Sequence, residues 1–425
     1  MVTSHVRKIV VRVSCAFAIL LFIAYVTTPS VLAASSFTDI STTDTATASK
    51  VWSQVASSSD GTHLAAVVDG GDIWTSTNNG TTWTDISTTD TATAGQEWKR
   101  IASSSDGTHL VAVNDLGIGD IWTSTNSGTS WTNDSLLSGN SGTTNQGWIS
   151  VASSSDGTHL TALAYGGDIW TSTNSGTSWT NDSLLSGNSG TTGQGWISVA
   201  SSSDGTHLAA AVEGGDIWTS TNSGTSWTDI STTDTATAGQ GWISVASSSD
   251  GTHLAAAVEG GDIWTSTNSG TSWTDISTTD TATAGQGWDS ITSSSTGQDL
   301  AAVAYSGDIW TSTNSGTSWT DISTTDTATA GQNWISITSA SDGTHLAALV
   351  YGGDIWITNP ATGGDDENST SSPTNNLGSS ATPQAPNTGY GTPNNSNVIV
   401  FGMNAIAIAS ICGGLFMLYR QKTIK

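Results

Sequence analysis

Between residues 37 and 358 the apolar residues come in short runs, and turn-forming residues separate the runs. The stretch from Trp242 is representative: WISVASS, SDGT, HLAAAV, EGG, DIWTST, NSGT, SWTDIST. The longer pieces are rich in the β-branched and aromatic residues that suit a pleated, half-buried surface. The short pieces supply the Gly and Asn that tight turns with positive φ require. No apolar spacing of three and four is sustained, so the pattern predicts four short antiparallel strands and no helix.

The stretch recurs. GDIW ends at Trp74, Trp122, Trp170, Trp218, Trp264, Trp310 and Trp356, in steps of 48, 48, 48, 46, 46 and 46 residues. A period near 45 is that of propeller blades. The last unit stops after its third strand, at GGDIWITNP, whereas FTDIST at Phe37 to Thr42 is a fourth strand with nothing before it. Pairing these two completes seven units and hides both terminal strand edges. The expected fold is all-β: a seven-bladed β-propeller over residues 35–358, closed by an N-terminal strand that completes the last blade. The 20 tryptophans obey the same count. Seven open first strands, seven sit in DIW, six end GTSW or GTTW, and Phe37 takes the remaining place, so we read them as core.

The two ends differ from this pattern. Residues 1–34 carry Arg7, Lys8 and Arg12, then an apolar run and a small-residue site around Ala33. That is the order of a cleavable secretory signal. Residues 359–397, rich in Pro, Asn, Ser and Thr, read as a flexible stalk. Residues 398–419 are mostly apolar and long enough to cross a hydrocarbon core of ~30 Å as a single membrane-spanning helix. The basic tail 420–425 then lies on the cytoplasmic side. Cys15 and Cys412 fall in the leader and the apolar run, so the exported domain has neither disulfides nor thiolate metal sites.

Charge narrows the partners. Between the leader and the tail only Lys50, Lys99 and Arg100 stand against all 35 acidic residues, a balance of −32. Such a surface repels nucleic acid and anionic membranes and favours a soluble monomer outside the cell.

Two resemblances follow from motifs. Ser266-Thr267-Asn268-Ser269-Gly270-Thr271-Ser272-Trp273 resembles the Asp-box, or BNR repeat, Ser-x-Asp-x-Gly-x-x-Trp. Copies begin at Ser76, Ser124, Ser172, Ser220, Ser266 and Ser312, each with Asn at the acidic position. The family implies a propeller and includes sialidases, xyloglucan hydrolases, sortilin-type receptors and photosystem assembly factors; it implies no single activity. Ala385-Pro386-Asn387-Thr388-Gly389 resembles the LPxTG sorting signal of Gram-positive surface proteins, with Ala385 where Leu is usual. That resemblance implies a sortase cut after Thr388 and attachment to cell-wall peptidoglycan.

Candidate chemistry is sparse. A sialidase site holds its substrate carboxylate with three arginines, and the exported domain has only Arg100, so sialidase activity is not expected. The Asp before each IW and the His in each DGTHL repeat with the period and read as scaffold. Length changes fall on one face of the ring, the face of the second turns and blade-to-blade loops. VNDLGIGD in the second unit and the NDSLL loops after the second and third units are the insertions. The second turns also vary in kind: Asp69, Asp115, Tyr165, Glu213, Glu259, Tyr305 and Tyr351. Tyrosines among carboxylates suit sugar stacking and hydrogen bonding. Lys99 and Arg100 are singular within a first strand and are expected to pair with neighbouring acids. No cofactor is expected, and no EF-hand-like spacing supports Ca²⁺. These residues point to a non-catalytic adhesion or ligand-binding role, with glycans as candidate ligands. A hydrolase using paired carboxylates on the same face, and a structural surface-layer protein, remain the alternatives.

Overall fold

The computed structural model describes residues 36–115 and 119–358. The leader, stalk, sorting motif, apolar span and basic tail expected above lie outside those residues, as do three residues of the VNDLGIGD insertion. Among the described residues no helix is long and apolar enough to cross a membrane.

Each unit opens on a strand such as Trp52–Ser57 or Trp148–Ser153. Trp52 and Val55 are both buried although three residues apart, a spacing that strict alternation would send to opposite faces. A register shift between Trp52 and Gln54 removes the conflict, and every unit carries the same bulge. The second strand, Leu64–Val68 in the first unit, is buried along its whole length. Ladders pack on both of its faces, which is why it reads as a continuous run of small apolar residues rather than alternating. The third strand, Ile73–Ser76, brings Trp74 edge-on to Trp52 with ring centroids 6.2 Å apart. The first-strand tryptophans are at most 1% exposed, and each fills the wedge between two ladders.

The fourth strand is shorter than SWTDIST predicts. Only Thr84–Asp85 pair, opposite Thr75 and Trp74. The Asp85 carboxylate accepts the Ser87 N–H at 2.9 Å and the Ser87 hydroxyl at 2.7 Å, which caps a 3₁₀ turn at Ile86–Thr88. Local side-chain bonding of this kind outcompetes strand continuation. A second 3₁₀ turn, Thr91–Thr93, follows under Asp90.

Closure runs as the orphan strand predicts. Phe37–Asp39 pairs antiparallel with Ile355–Thr358, Phe37 opposite Thr358. Two further rows of hydrogen bonds pass through the same junction. The linker acid of one unit accepts the backbone N–H that opens the next unit's fourth strand: Asp44 from Trp83, Asp280 from Trp319, and Asp326 from Phe37, each at 2.8 Å. At the inner edge a ring of backbone bonds passes from Ser59 through Ser105, Ser155, Ser203, Ser249, Ser295 and Ser341 and returns to Ser59, at 2.8–2.9 Å. The first strands pack side by side in that order around a central channel. The described strands thus form seven four-stranded ladders in a closed, propeller-like all-β ring.

Candidate functional site

First and third turns share one face. Asn79 in a third turn donates to the Thr62 carbonyl in a first turn, and the same bond recurs around the ring. The third turns are built by their own side chains. Ser76 Oγ accepts the Gly80 N–H at 3.0 Å, Asn78 Oδ1 accepts the Thr82 N–H at 3.0 Å, and the Trp83 indole donates to the Gly80 carbonyl at 2.9 Å. Asn serves as well as Asp there because the turn needs an acceptor, not a charge. The first turns are equally self-contained. Asp60 accepts from Ser58 and from both the N–H and hydroxyl of Thr62, and those bonds hold its carboxyl at about 2. His63 bonds Thr62 and packs on Gly107 of the next unit, where a Cβ would lie 2.5 Å from that of His63. The repeated histidines are therefore positioned as spacers between units.

The opposite face carries the candidate residues, but not as seven equivalent turns. Tyr165, Glu213, Glu259 and Tyr305 lie inside extended second strands, Leu160–Gly167, Leu208–Gly215, Leu254–Gly261 and Leu300–Gly307. A bulge at the following residue lets each strand run on and pair with the next unit, Tyr165 opposite Gly195 and Tyr305 opposite Asn333. Asp69 and Tyr351 sit in turns, and half-buried Asp115 directly follows its strand. The three tyrosines stand out to solvent at 55, 48 and 53% for Tyr165, Tyr305 and Tyr351. They are not one cluster. Tyr305 and Tyr351 flank Asn333, whose carbonyl accepts the Tyr351 N–H at 2.8 Å. Tyr165 lies on the other side of the ring, where its hydroxyl donates to Glu213 Oε2 at 3.1 Å. That bond and the adjacent charge hold the Tyr165 phenol above its ordinary value.

Lys99 pairs with Asp69 at 3.3 Å, as expected of a singular lysine among acids. Arg100 does otherwise, and corrects the expectation that it pairs with a neighbour. Its side chain enters the central channel, a cavity of about 260 Å³, and its Nη1 donates to the Lys99 carbonyl at 3.0 Å. Asp289, two places before Ile291 in the sixth unit's first strand, lines the same cavity. Sequence reading missed Asp289, although its signal was present: the other units carry Ser, Lys or Ile at that position. Burial pushes the Asp289 carboxyl up to about 6, with Arg100 pulling it down and Glu259 pushing it further up. Burial likewise lowers Arg100, and Asp289 opposes that shift.

The NDSLL loops bury a carboxyl rather than displaying it. Asp134 and Asp182 occupy the place of the buried Ile86 and Ile230 of other units, and both are 1% exposed. Burial pushes each to about 7, against the pull of the Thr123 hydroxyl, which donates to Asp134 at 2.8 Å, and of the Thr171 hydroxyl, which donates to Asp182 at 2.7 Å. Leu136 and Leu184 of the same loops are instead 74 and 76% exposed. Among the described residues no group of three or more His, Cys, Asp or Glu is placed to hold a metal ion.

No protein-family model matches the chain, and no curated protein matches it by sequence. Solved structures do. YCF48 from Cyanidioschyzon merolae is 16% identical, with a TM-score of 0.55 over 77% of this chain and 99% of that one. The GH74 xyloglucanase from Xanthomonas campestris is 17% identical, with a TM-score of 0.55 over 76% of this chain and 53% of its own. A GH74 enzyme from Niastella koreensis is 16% identical, with a TM-score of 0.55 over 73 and 53%. The chain spans about half the length of these GH74 enzymes. At such identity the likeness is one of fold, a β-propeller, and extends to no activity.

Proposed function

We propose that this chain is a seven-bladed propeller displayed on the outside of a Gram-positive-type cell, and that its second-turn face binds an extracellular ligand without transforming it. Sortase attachment through Ala385 to Gly389 and peptidoglycan as anchor belong to the same proposal. A glycan is the ligand the face suits best. The observation that carries this reading is the placement of Tyr165, Tyr305 and Tyr351. Among the large hydrophobic side chains that stand exposed in the described residues, the aromatic ones are these three alone, all at one repeat position on one face. Aromatic rings beside Glu213 and Asn333 offer what a sugar needs, an apolar face to stack on and acceptors for its hydroxyls.

The test is a glycan-array screen of residues 35–360 beside a Tyr165/Tyr305/Tyr351→Ala version. Binding that the triple substitution abolishes supports the reading. A folded domain that binds no glycan on a broad panel removes glycans as the ligand.

One observation favours a second reading, a carbohydrate hydrolase. Burial pushes the Asp289 carboxyl up to about 6, and the charge of Glu259 adds to that push. A carboxyl kept protonated towards neutral pH near a second carboxyl is the kind of pair that glycoside hydrolysis uses. Sugar release from a polysaccharide panel, lost in Asp289→Asn, would replace the binding reading with this one.

A further inference from the structure

The residue two places after the first-strand Trp has a fixed duty in this ring. Its side-chain oxygen accepts a backbone N–H from the neighbouring unit's first strand. Ser150 accepts from Val199 at 3.1 Å, Ser290 from Ile337 at 3.2 Å, and Gln54 from Ile101 at 2.8 Å. Six units keep an acceptor there. The second unit has Arg100, which carries donors only and can offer Val151 nothing. The same strand position one place earlier is Ile in four units and Asp289 in the sixth.

Both departures work against stability. Each puts an ionisable group where burial disfavours its charge, and neither group reaches a salt-bridge partner: the ion pairs among the described residues are Lys99–Asp69 and His345–Asp342. In a ring of near-copies, the residues that fit the scaffold are one substitution away. Retention of two poorly fitting groups in one cavity is the mark of a site held for use rather than for folding.

Their placement supports this. The strands carrying Arg100 and Asp289 are separated by two intervening first strands one way round and three the other, as far apart as this ring allows. The cavity between them is lined by serines such as Ser150, Ser198 and Ser244 together with apolar residues such as Ile197, Ile243 and Ile335. We propose that the channel binds a small zwitterion of the α-amino-acid class, its carboxylate on the Arg100 guanidinium and its ammonium on the Asp289 carboxylate. A guanidinium fork matches a carboxylate in two parallel hydrogen bonds. An ammonium beside the buried Asp289 carboxylate favours its charged form. Net charge excludes the simpler alternative. The acidic exterior opposes entry of a plain anion, whereas a zwitterion carries no net charge through that field and gains from both poles inside. This site does not depend on the tyrosine surface, so either proposal can fail while the other stands.

The experiment is isothermal titration calorimetry on the full chain with glycine and L-alanine, beside acetate and methylammonium as the two half-ligands. Arg100→Ser and Asp289→Ile are the variants. Both restore the residue that most units carry at that position, so folding is preserved and a melting curve checks it. The expected result is that the amino acids bind at least ten-fold more tightly than either half-ligand. Each variant weakens them at least ten-fold, and Tyr165/Tyr305/Tyr351→Ala leaves them unchanged. Acetate or methylammonium binding as tightly as glycine overturns the zwitterion in favour of a simple ion site. No binding by wild type, or equal binding by the folded variants, overturns the site altogether.

Discussion

Asp134 and Asp182 make the stability of this ring depend on pH in an unusual direction. Each carboxyl is held protonated in the fold up to about 7, whereas an unfolded chain releases its proton near 3.8. Between those values the unfolded state binds fewer protons, so stability falls as pH rises, is least above 7, and is fully recovered below about 4. Holding a carboxyl at about 7 rather than 3.8 corresponds to at most about 4 kcal/mol per residue. Relaxation around an ionised carboxylate reduces this, and we expect about 2–4 kcal/mol for each site. Asp134→Asn with Asp182→Asn removes the charge and keeps an amide oxygen that can accept from the Thr123 and Thr171 hydroxyls. The melting temperature at pH 8 should rise on the order of 10 °C, at roughly 2 °C per kcal/mol for a domain of this size. Below about pH 4 the difference between the double variant and wild type should close. Thermal unfolding followed by tryptophan fluorescence between about pH 3.5 and 8.5 measures both. Asp289 adds a smaller slope of the same sign in both proteins. An equal fall of melting temperature with pH in the two proteins would refute the buried-charge argument.

Three further outcomes are expected. Gly107→Ala should cost about 1–3 kcal/mol in urea denaturation, because Gly107 has φ +71° and a Cβ there meets His63 at 2.5 Å. Deleting residues 36–42 should strip the partner from Ile355–Thr358 and leave Asp326 without its Phe37 bond; light scattering should then show association through the exposed edge. Lys99→Ala should change stability by less than about 1 kcal/mol, since its pair with Asp69 is partly exposed and screened by salt.

The chain's order of strands, its closure by Phe37–Asp39 and the face that carries Tyr165, Tyr305 and Tyr351 were legible without coordinates. Each depends on spacing within one repeat, or on counting repeats, and a repeat states its local structure many times over. The length of the fourth strand was misread because Asp85 and its equivalents bond their own backbone two residues on, a competition that β-branched composition does not reveal. Asp134 stands three residues after Trp131, as Ile86 stands three after Trp83, but a carboxyl in place of an isoleucine gives no sign in sequence of being buried; only packing shows that it is turned inward. Arg100 and Asp289 lie 189 positions apart in the sequence. Either was visible as a departure from its neighbours, but their meeting was not. Periodicity determines what each unit is, and ring closure determines which units face one another. The channel pair exists only after the last ladder has taken in the first strand.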